Sequence, residues 1–467
     1  MGINREKELN YLTNFYNKNQ SGLLIVYGQK GIGKTTLLKN FIRDKQSIYY
    51  LSREVSEREQ LYHMSAELST YGYDLSQFPD YRQVFYEISK NHLSKGGSEK
   101  ARGKMVLVFD EFQNILKGGN SFMEALVELL QKAPNIFVIL SSSSIGFVEN
   151  SLVKKIGKAA YAISGFLKVR ELNFREISQY YKVYSLEQLI ETYSILGGIT
   201  GYLQCFDKTR STKENICEFI LKDTAFLHVE GSRILSEELR EPAVYYSILA
   251  ALASGKSKLN DLYKHTGFSR AKISVYLKSL MELEIVEKVF SYDALGKENV
   301  QKGLYQISYP YVHFWFKFIY PNFSSLSTMS AEAFYDTFIA PKLKEYCSFY
   351  FAKICREYMD YLNEEKKLPF IYEKSGVWAG KDGMIDLLAS DEGGKKLAMF
   401  AKYSKEKVTY EDYVQYIHRL SQAKVDVNEC YLFSMWGFDE RLLMEEKVKI
   451  HLHLKNLKEE PIRNQNR

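Results

Sequence analysis

Proline is scarce in this chain, with 8 in 467 residues. So few helix breakers favour long helices and leave little for proline-rich linkers. Cysteine is scarcer still and scattered. The five (Cys205, Cys217, Cys347, Cys355, Cys430) form no C-x-x-C pair and are odd in number. That argues against a disulfide framework or a zinc site and predicts a reducing, cytoplasmic setting. No run of eighteen apolar residues occurs, so no membrane-spanning helix is expected. The opening MGINREKELNYL is charged from its fifth residue and lacks the apolar core of a secretion signal; its Gly2 has no convincing acylation context. Neither charge sign dominates: 63 Lys and Arg against 57 Asp and Glu leave a net +6, weak grounds by itself for nucleic acid.

What the chain has is core material. It is 45% hydrophobic, with 36 Tyr and 28 Phe, and its length suits two to four domains. Its most informative stretch is LLIVYGQKGIGKTTLL at 23–38. An apolar run enters a glycine-rich turn, G-x-x-x-x-G-K-T from Gly28 to Thr35, and helical spacing follows at Leu37, Leu38, Phe41 and Ile42. A chance glycine turn is the bland alternative, but strand, loop and helix in that order give the motif a mechanism. Glycines let successive backbone N–H groups curl around an oxyanion, and a helix N-terminus adds partial positive charge. Candidate phosphate-binding residues are Gly28, Gln29, Lys30, Gly31, Ile32, Gly33, Lys34, Thr35 and Thr36. Lys34 is placed to reach the β- and γ-phosphates of ATP, and Thr35 to ligate Mg²⁺.

The second chemical station is MVLVF at 105–109, followed by Asp110 and Glu111. An apolar strand ending in Asp-Glu also occurs as a strand capped by solvated acids. Downstream of a phosphate loop, however, the strand end lies beside the loop in a parallel sheet. Asp110 is then the second candidate Mg²⁺ ligand, and Glu111 the group that polarises attacking water, with Lys34 as its catalytic partner. Strands are also predicted at 47–51 and 136–140, and helices at 4–17, across most of 54–93, and at 122–133. Residues 95–104 read as a basic surface loop. Ser141, at the end of the 136–140 strand, is a candidate γ-phosphate sensor, although the same stretch reads equally well as a serine-rich turn. Lys154, Lys155, Lys158, Lys168 and Arg170 include a candidate finger; a solvated basic face is the alternative.

Beyond 176 the pattern is helical up to the break Gly197-Gly198-Ile199-Thr200-Gly201, which predicts a helical lid able to pass nucleotide state downstream. Residues 240–307 read as three helices and a wing. The third helix spans 270–289 and the wing strands lie at 290–292 and 303–307, together a winged helix-turn-helix. Arg270, Lys272 and Lys278 are its candidate phosphate contacts, and a protein-docking module is the competing reading. The aromatic stretch YPYVHFWFKFIY at 309–320 reads as interface core before it reads as a base-stacking platform. A last domain shows a helix at 340–363, strands at 369–373, 383–390 and 397–403, a helix at 410–422, and strands at 429–435 and 448–454. That is the order of a restriction-endonuclease-like core, with Asp386 and Lys402 at two of its metal-site positions and Phe400 where an acid is needed. Asp386 and Lys402 read equally as a buried ion pair or as solvated strand ends.

Together these marks resemble the archaeal-type P-loop ATPases of the STAND group, AAA-related proteins with a C-terminal nuclease-like domain of unknown function. The resemblance spans nearly the whole chain through NREKEL at 4–9, GQKGIGKT, VLVFDEFQ, GGITGYL, KGLYQISYPYVHFWFKFIYPN and YLFSMWGF. It implies an α/β fold class: a P-loop NTPase parallel sheet with a helical lid, a winged helix-turn-helix and a C-terminal restriction-endonuclease-like domain. The expected domains are 1–170, 171–239, 240–320 and 329–457. Four departures stand out. Thr200 replaces a proline that approaches the base. Lys158 follows Gly157 where an arginine is usual. Phe351-Ala352 replaces a Phe-Glu pair, and Phe400 replaces the acid. The last two imply that the C-terminal domain binds or docks and does not cut. The expected function is a Mg²⁺-dependent ATPase acting as a nucleotide-driven switch. The alternatives are a DNA-binding ATPase of defence or mobile-element biology and a non-hydrolysing ATP-bound scaffold; a kinase reading lacks an acceptor pocket. Expected partners are ATP, DNA through the winged helix or last domain, and a protein partner or a second copy, with no membrane.

Overall fold

Strands that are apolar at nearly every position are stable only where both faces of their sheet are covered. That condition shapes the N-terminal half. The structure, a computed structural model, describes residues 5–18, 21–73, 75, 80–94, 104–133, 135–239, 241–294, 303–380, 383–444 and 448–450. β1 (Gly22–Tyr27), β2 (Ser47–Leu51), β3 (Met105–Asp110), β4 (Ile136–Ser142) and β5 (Ile163–Lys168) form one parallel sheet in the order β2-β3-β4-β1-β5. Every residue of β3 and β4 is buried. Parallel neighbours need long crossovers. The helices Lys34–Ile42, Glu57–Thr70, Tyr81–Ser94 and Ser121–Lys132 lie in those connections. Edge-to-face packing of Phe109 on Phe122 and Phe85 on Phe109 ties two of these helices to β3. β1 is an inner strand between β4 and β5, so the glycine turn leaves the sheet from within and not from an edge. β3 ends one strand away, beyond β4. This is the P-loop NTPase sheet that the sequence predicts.

β5 is the strand the sequence does not predict. Its residues alternate imperfectly, and Gly165, with the Phe15 ring where a Cβ would go, offers no side chain to a strand pattern.

The chain divides into two units. One holds this sheet, through residue 171, together with the short segment Ile199–Gly201. The other holds 172–198 and the described residues from 202 onward. In the second unit the helices Pro242–Ala253, Leu259–Thr266 and Arg270–Glu282 precede an antiparallel pair, β6 (Val286–Val289) and β7 (Leu304–Ile307). That is a winged helix, with one correction. The third helix stops at Glu282, short of residue 289, because Glu284 takes a left-handed φ of 55°. The first wing strand is therefore 286–289 and not 290–292; most of the wing loop lies outside the described residues. Residues 310–319 form consecutive helical turns whose Tyr311, Phe314 and Phe318 are buried, so this aromatic stretch is core and not an exposed platform.

The last part of this unit is a mixed sheet in the order β12-β11-β10-β9-β8. β8 (Lys374–Ala379), β9 (Met384–Ser390) and β10 (Lys396–Lys402) pair antiparallel. β10, β11 (Glu429–Ser434) and β12 (Val448–Ile450) pair parallel. The helix Ala340–Glu364 packs on this sheet, and Thr409 caps the helix Tyr410–Gln422 through a reciprocal pair with Asp412. The strand expected at 369–373 is a correction: β8 begins only at Lys374. The basic loop at 95–103, Asn4 and residues 451–454 of the expected last strand lie outside the described residues. All five cysteines are free thiols.

Candidate nucleotide site

The phosphate loop is shaped by backbone that side chains cannot follow. Gly31 and Gly33 have φ of 79° and 95°, the left-handed region that favours glycine. At Gly28 a Cβ would lie 2.3 Å from the Val169 carbonyl oxygen. Gly33 precedes the helix Lys34–Ile42 and brings no side-chain cap, so the first N–H groups of that helix are left for an anion. Lys34 is buried and folds back on the loop. Its Nζ donates to the Gly28 carbonyl at 2.9 Å and the Gln29 carbonyl at 3.0 Å. Burial pushes the Lys34 ammonium pKa down, against the pull of Glu111 and Asp110. Lys30, Thr35 and Thr36 are exposed around it.

The two halves of the predicted metal site meet. Thr35 Oγ1 donates to Asp110 Oδ2 at 2.8 Å, and Asp110 is 1% exposed. A hydroxyl and a carboxylate are hard oxygen donors. They suit Mg²⁺, which takes one or two protein oxygens and otherwise keeps water and substrate phosphate. Glu111 follows at the end of β3 with φ 53° and ψ 41°, a left-handed conformation for a non-glycine residue. Its Oε2 accepts from Gln113 Nε2 at 2.6 Å, the Ser143 N–H at 3.0 Å and Ser143 Oγ at 2.7 Å.

Sequence reasoning missed several neighbours. Ser143, not Ser141, reaches Glu111. Ser141 is inside β4, paired with Val26 and fully buried, and among the described residues its hydroxyl has no hydrogen-bond partner. Tyr49 OH donates to Asp110 Oδ2 at 2.6 Å. Arg5 is buried and donates to the carbonyls of Ile32 and Arg170 at 3.0 and 2.8 Å. Its place in NREKEL was the only hint. The Gly31 carbonyl accepts from both Thr200 Oγ1 (3.0 Å) and the Gly201 N–H (2.9 Å). Thr200 therefore docks on the loop by its hydroxyl, at the position where the related pattern has proline. Among the finger candidates, Lys154, Lys155 and Lys158 are exposed, and Lys168 is paired with Glu149 at 2.9 Å.

The winged-helix cations are on the surface. Arg270 and Lys272 are exposed in the first turn of their helix, capped by Ser269, with Lys278 further along. Arg270 bonds Asn260 and lies over the Tyr263 ring, 4.2 Å from its centre.

In the mixed sheet Asp386 and Lys402 do not pair, which corrects the ion-pair reading. Lys402 Nζ bonds Asp412 at 2.7 Å, while Asp386 accepts the Ala401 N–H at 2.9 Å. Phe400 stacks on Tyr416, their centroids 4.2 Å apart. Burial pushes the Asp386 carboxyl pKa up, and the Ala401 N–H and the Arg356 and Arg419 charges only partly offset it. An acid with a raised folded-state pKa stabilises the fold at low pH and loses that contribution as pH rises through the folded value. Asp386→Asn keeps an acceptor for Ala401 and removes the charge. It is expected to stabilise the chain by ~1–3 kcal/mol near neutral pH and to leave it nearly unchanged below the ordinary carboxylate range. Thermal unfolding at the two pH values checks this, and a loss of stability at neutral pH would contradict it.

Among the described residues no group of three or more His, Cys, Asp or Glu is arranged to hold a metal, and no helix is long and apolar enough to cross a membrane. Comparison with known proteins adds three family matches. Residues 3–206 match an ATPase domain found predominantly in archaea. Residues 247–288 match bacterial regulatory proteins of the arsR family. Residues 315–413 match archaeal and bacterial proteins of unknown function. An uncharacterized protein of Methanocaldococcus jannaschii is 26% identical over 468 residues, covering 94% of this chain and 100% of that protein. An uncharacterized ATP-binding protein of the same organism is 28% identical over 166 residues, 30% of this chain and 47% of that protein. Among solved structures, a Walker-type ATPase of Pyrococcus abyssi superposes with a TM-score of 0.50 at 18% identity, covering 68% of this chain and 96% of that one. At that identity the likeness speaks to the fold.

Proposed function

We propose that this chain, whose residues 3–206 match an ATPase domain found predominantly in archaea, binds ATP with Mg²⁺ and hydrolyses it as a nucleotide-driven switch. One observation carries the reading: Lys34, Thr35, Asp110, Glu111 and Ser143 converge at the carboxyl ends of β1, β3 and β4. The loop N–H groups and the open helix N-terminus take the phosphates. Lys34 leaves the Gly28 and Gln29 carbonyls for the β- and γ-oxygens. Thr35 and Asp110 are the residues that would hold Mg²⁺, which when bound would supply positive charge against the phosphate oxygens. Glu111 orients the attacking water and accepts its proton, and Ser143 fixes Glu111. The switch draws support from Ile199–Gly201. This segment belongs to the sheet unit and bonds Gly31, while the chain on both sides of it belongs to the other unit.

A second reading, DNA contact by the winged helix, is favoured by the exposed Arg270, Lys272 and Lys278 and by the match to regulatory proteins. The C-terminal domain serves for docking. Phe400 in place of an acid, and Lys402 already neutralised by Asp412, speak against cutting.

The test is phosphate release from ATP with Mg²⁺ or with EDTA, each with and without duplex DNA. Mg²⁺-dependent release is expected. Stimulation by DNA that fades steeply as salt rises would move the DNA reading ahead. Tight ATP binding with no release under any condition would replace hydrolysis with a scaffold role. Release that persists in EDTA would overturn the site.

A further inference from the structure

Asp110 is almost wholly withdrawn from solvent, and a carboxylate there depends on the donors around it. Three are described. Thr35 Oγ1 and Tyr49 OH donate to Oδ2 at 2.8 and 2.6 Å, and the Glu111 N–H donates to Oδ1 at 3.1 Å. Two of these belong to residues with other work in the proposed reaction. The Thr35 hydroxyl has lone pairs left for a metal after giving its proton to Asp110. The Glu111 N–H belongs to the residue that follows Asp110 and carries the water-orienting carboxylate. Tyr49 has no such second task at the site.

The sheet register places Tyr49 there. β2 and β3 run parallel with Tyr49 opposite Val108 and Leu51 opposite Asp110. In a strand, residues two apart share a face. Tyr49 therefore stands on the face that carries Asp110, one diagonal step back, a span that a long aromatic side chain covers. From there its hydroxyl meets the same oxygen that Thr35 uses. The ring is anchored beside the phosphate-loop helix, with Lys39 Nζ 5.2 Å from its centre.

We infer that Tyr49 is a positioning residue for the metal site: its hydroxyl holds the Asp110 carboxylate in the orientation that, with Thr35, receives Mg²⁺. This deepens the ATPase reading above and rests on it. Groups behind a metal ligand fix its rotamer, and losing one typically costs 10–100-fold in metal affinity. Tyr49→Phe removes one oxygen and keeps the ring. Among the described residues Asp110 Oδ2 is then left with the Thr35 donor, so the carboxylate turns more freely.

The experiment follows binding of a fluorescent, non-hydrolysable ATP analogue to the full chain, in EDTA and across a Mg²⁺ titration. The chains compared are the parent, Tyr49→Phe and Asp110→Asn, with a thermal midpoint for each without nucleotide. For Tyr49→Phe the expected result is unchanged affinity in EDTA, a midpoint lowered by a few degrees because a buried carboxylate loses one donor, and, separately, a Mg²⁺ requirement raised about 10-fold or more. Asp110→Asn is expected to raise that requirement further. If Asp110→Asn shifts the Mg²⁺ titration and Tyr49→Phe does not, the role given to Tyr49 is overturned while the ATPase reading stands. If affinity in EDTA and the thermal midpoint fall together in Tyr49→Phe, with no separate Mg²⁺ effect, Tyr49 is structural only and the inference fails. If Asp110→Asn leaves the titration unmoved, the metal site itself is wrong and the inference falls with it.

Discussion

Glu111→Gln is expected to bind ATP as the parent does and to release phosphate about 10²–10⁴-fold more slowly. The geometry separates the two effects. Glu111 is held by one oxygen: Gln113 Nε2 and both the N–H and Oγ of Ser143 converge on Oε2. A glutamine can present its amide oxygen to the same three donors, so the clasp survives. The hydrogen bonds described leave Oε1 open, and there the variant puts an –NH₂ that accepts no proton from water. The left-handed backbone at φ 53° is a strained conformation for a glutamate, of order 1–3 kcal/mol. Such strain persists where surroundings impose it, and the Ser143 and Gln113 bonds are the imposing contacts. The phosphate loop and Lys34 are untouched, so binding does not follow turnover down. Phosphate release and analogue binding, measured on the same preparation, check both halves. Parental turnover in Glu111→Gln would remove Glu111 from the reaction. Loss of binding alongside turnover would make it a structural residue of the loop.

How far the site is legible from sequence depends on the span each contact covers. Gly28–Thr35 is a local motif flanked by its own strand and helix, and Asp110 ends an unmistakable apolar run. Thr35 and Asp110 meet as that pattern predicts. Ser143 is harder. Four serines follow one another at 141–144, and only the true end of β4, at Ser142, puts Ser141 inside the sheet and Ser143 just beyond it. An error of two residues in a strand end is enough to select the wrong hydroxyl. Tyr49 is invisible for another reason: its contact is set by the register of two strands more than fifty residues apart, which no single stretch encodes. The wing fails locally, because helical spacing continues through 282–285 while Glu284 turns left-handed and ends the helix. In the last domain Lys402 finds Asp412 because the Thr409 cap fixes that acid at the start of a helix. Strand order alone pointed to Asp386.

Gly198→Ala is the second large effect expected, and it concerns stability. The two glycines of the break differ. Gly197 follows the helix Leu186–Leu196 with φ 61° and ψ −155°, a region essentially reserved for glycine, and its N–H closes the helix on the Tyr193 carbonyl at 2.9 Å. Its requirement is conformational, and alanine there costs on the order of 1–3 kcal/mol. Gly198 is constrained by space. A Cβ would lie 2.0 Å from the Leu172 carbonyl oxygen and 2.3 Å from its nitrogen. Both obstacles are backbone, and they are fixed in part by the bond from the Leu172 N–H to the Gly198 carbonyl at 3.0 Å. No rotamer change relieves the overlap, so either that bond breaks or the whole 172 segment moves. Leu172 is buried, so moving it also opens packed core. A loss of about 4 kcal/mol or more is expected, the range reached by few substitutions. Denaturant unfolding of parent, Gly197→Ala and Gly198→Ala checks the ranking, with Gly198→Ala the least stable. A Gly198→Ala midpoint equal to the parent's would mean that Leu172 does not approach this backbone. In the expected case residues 199–201 keep their bonds to Gly31, so analogue binding should fall less than stability does.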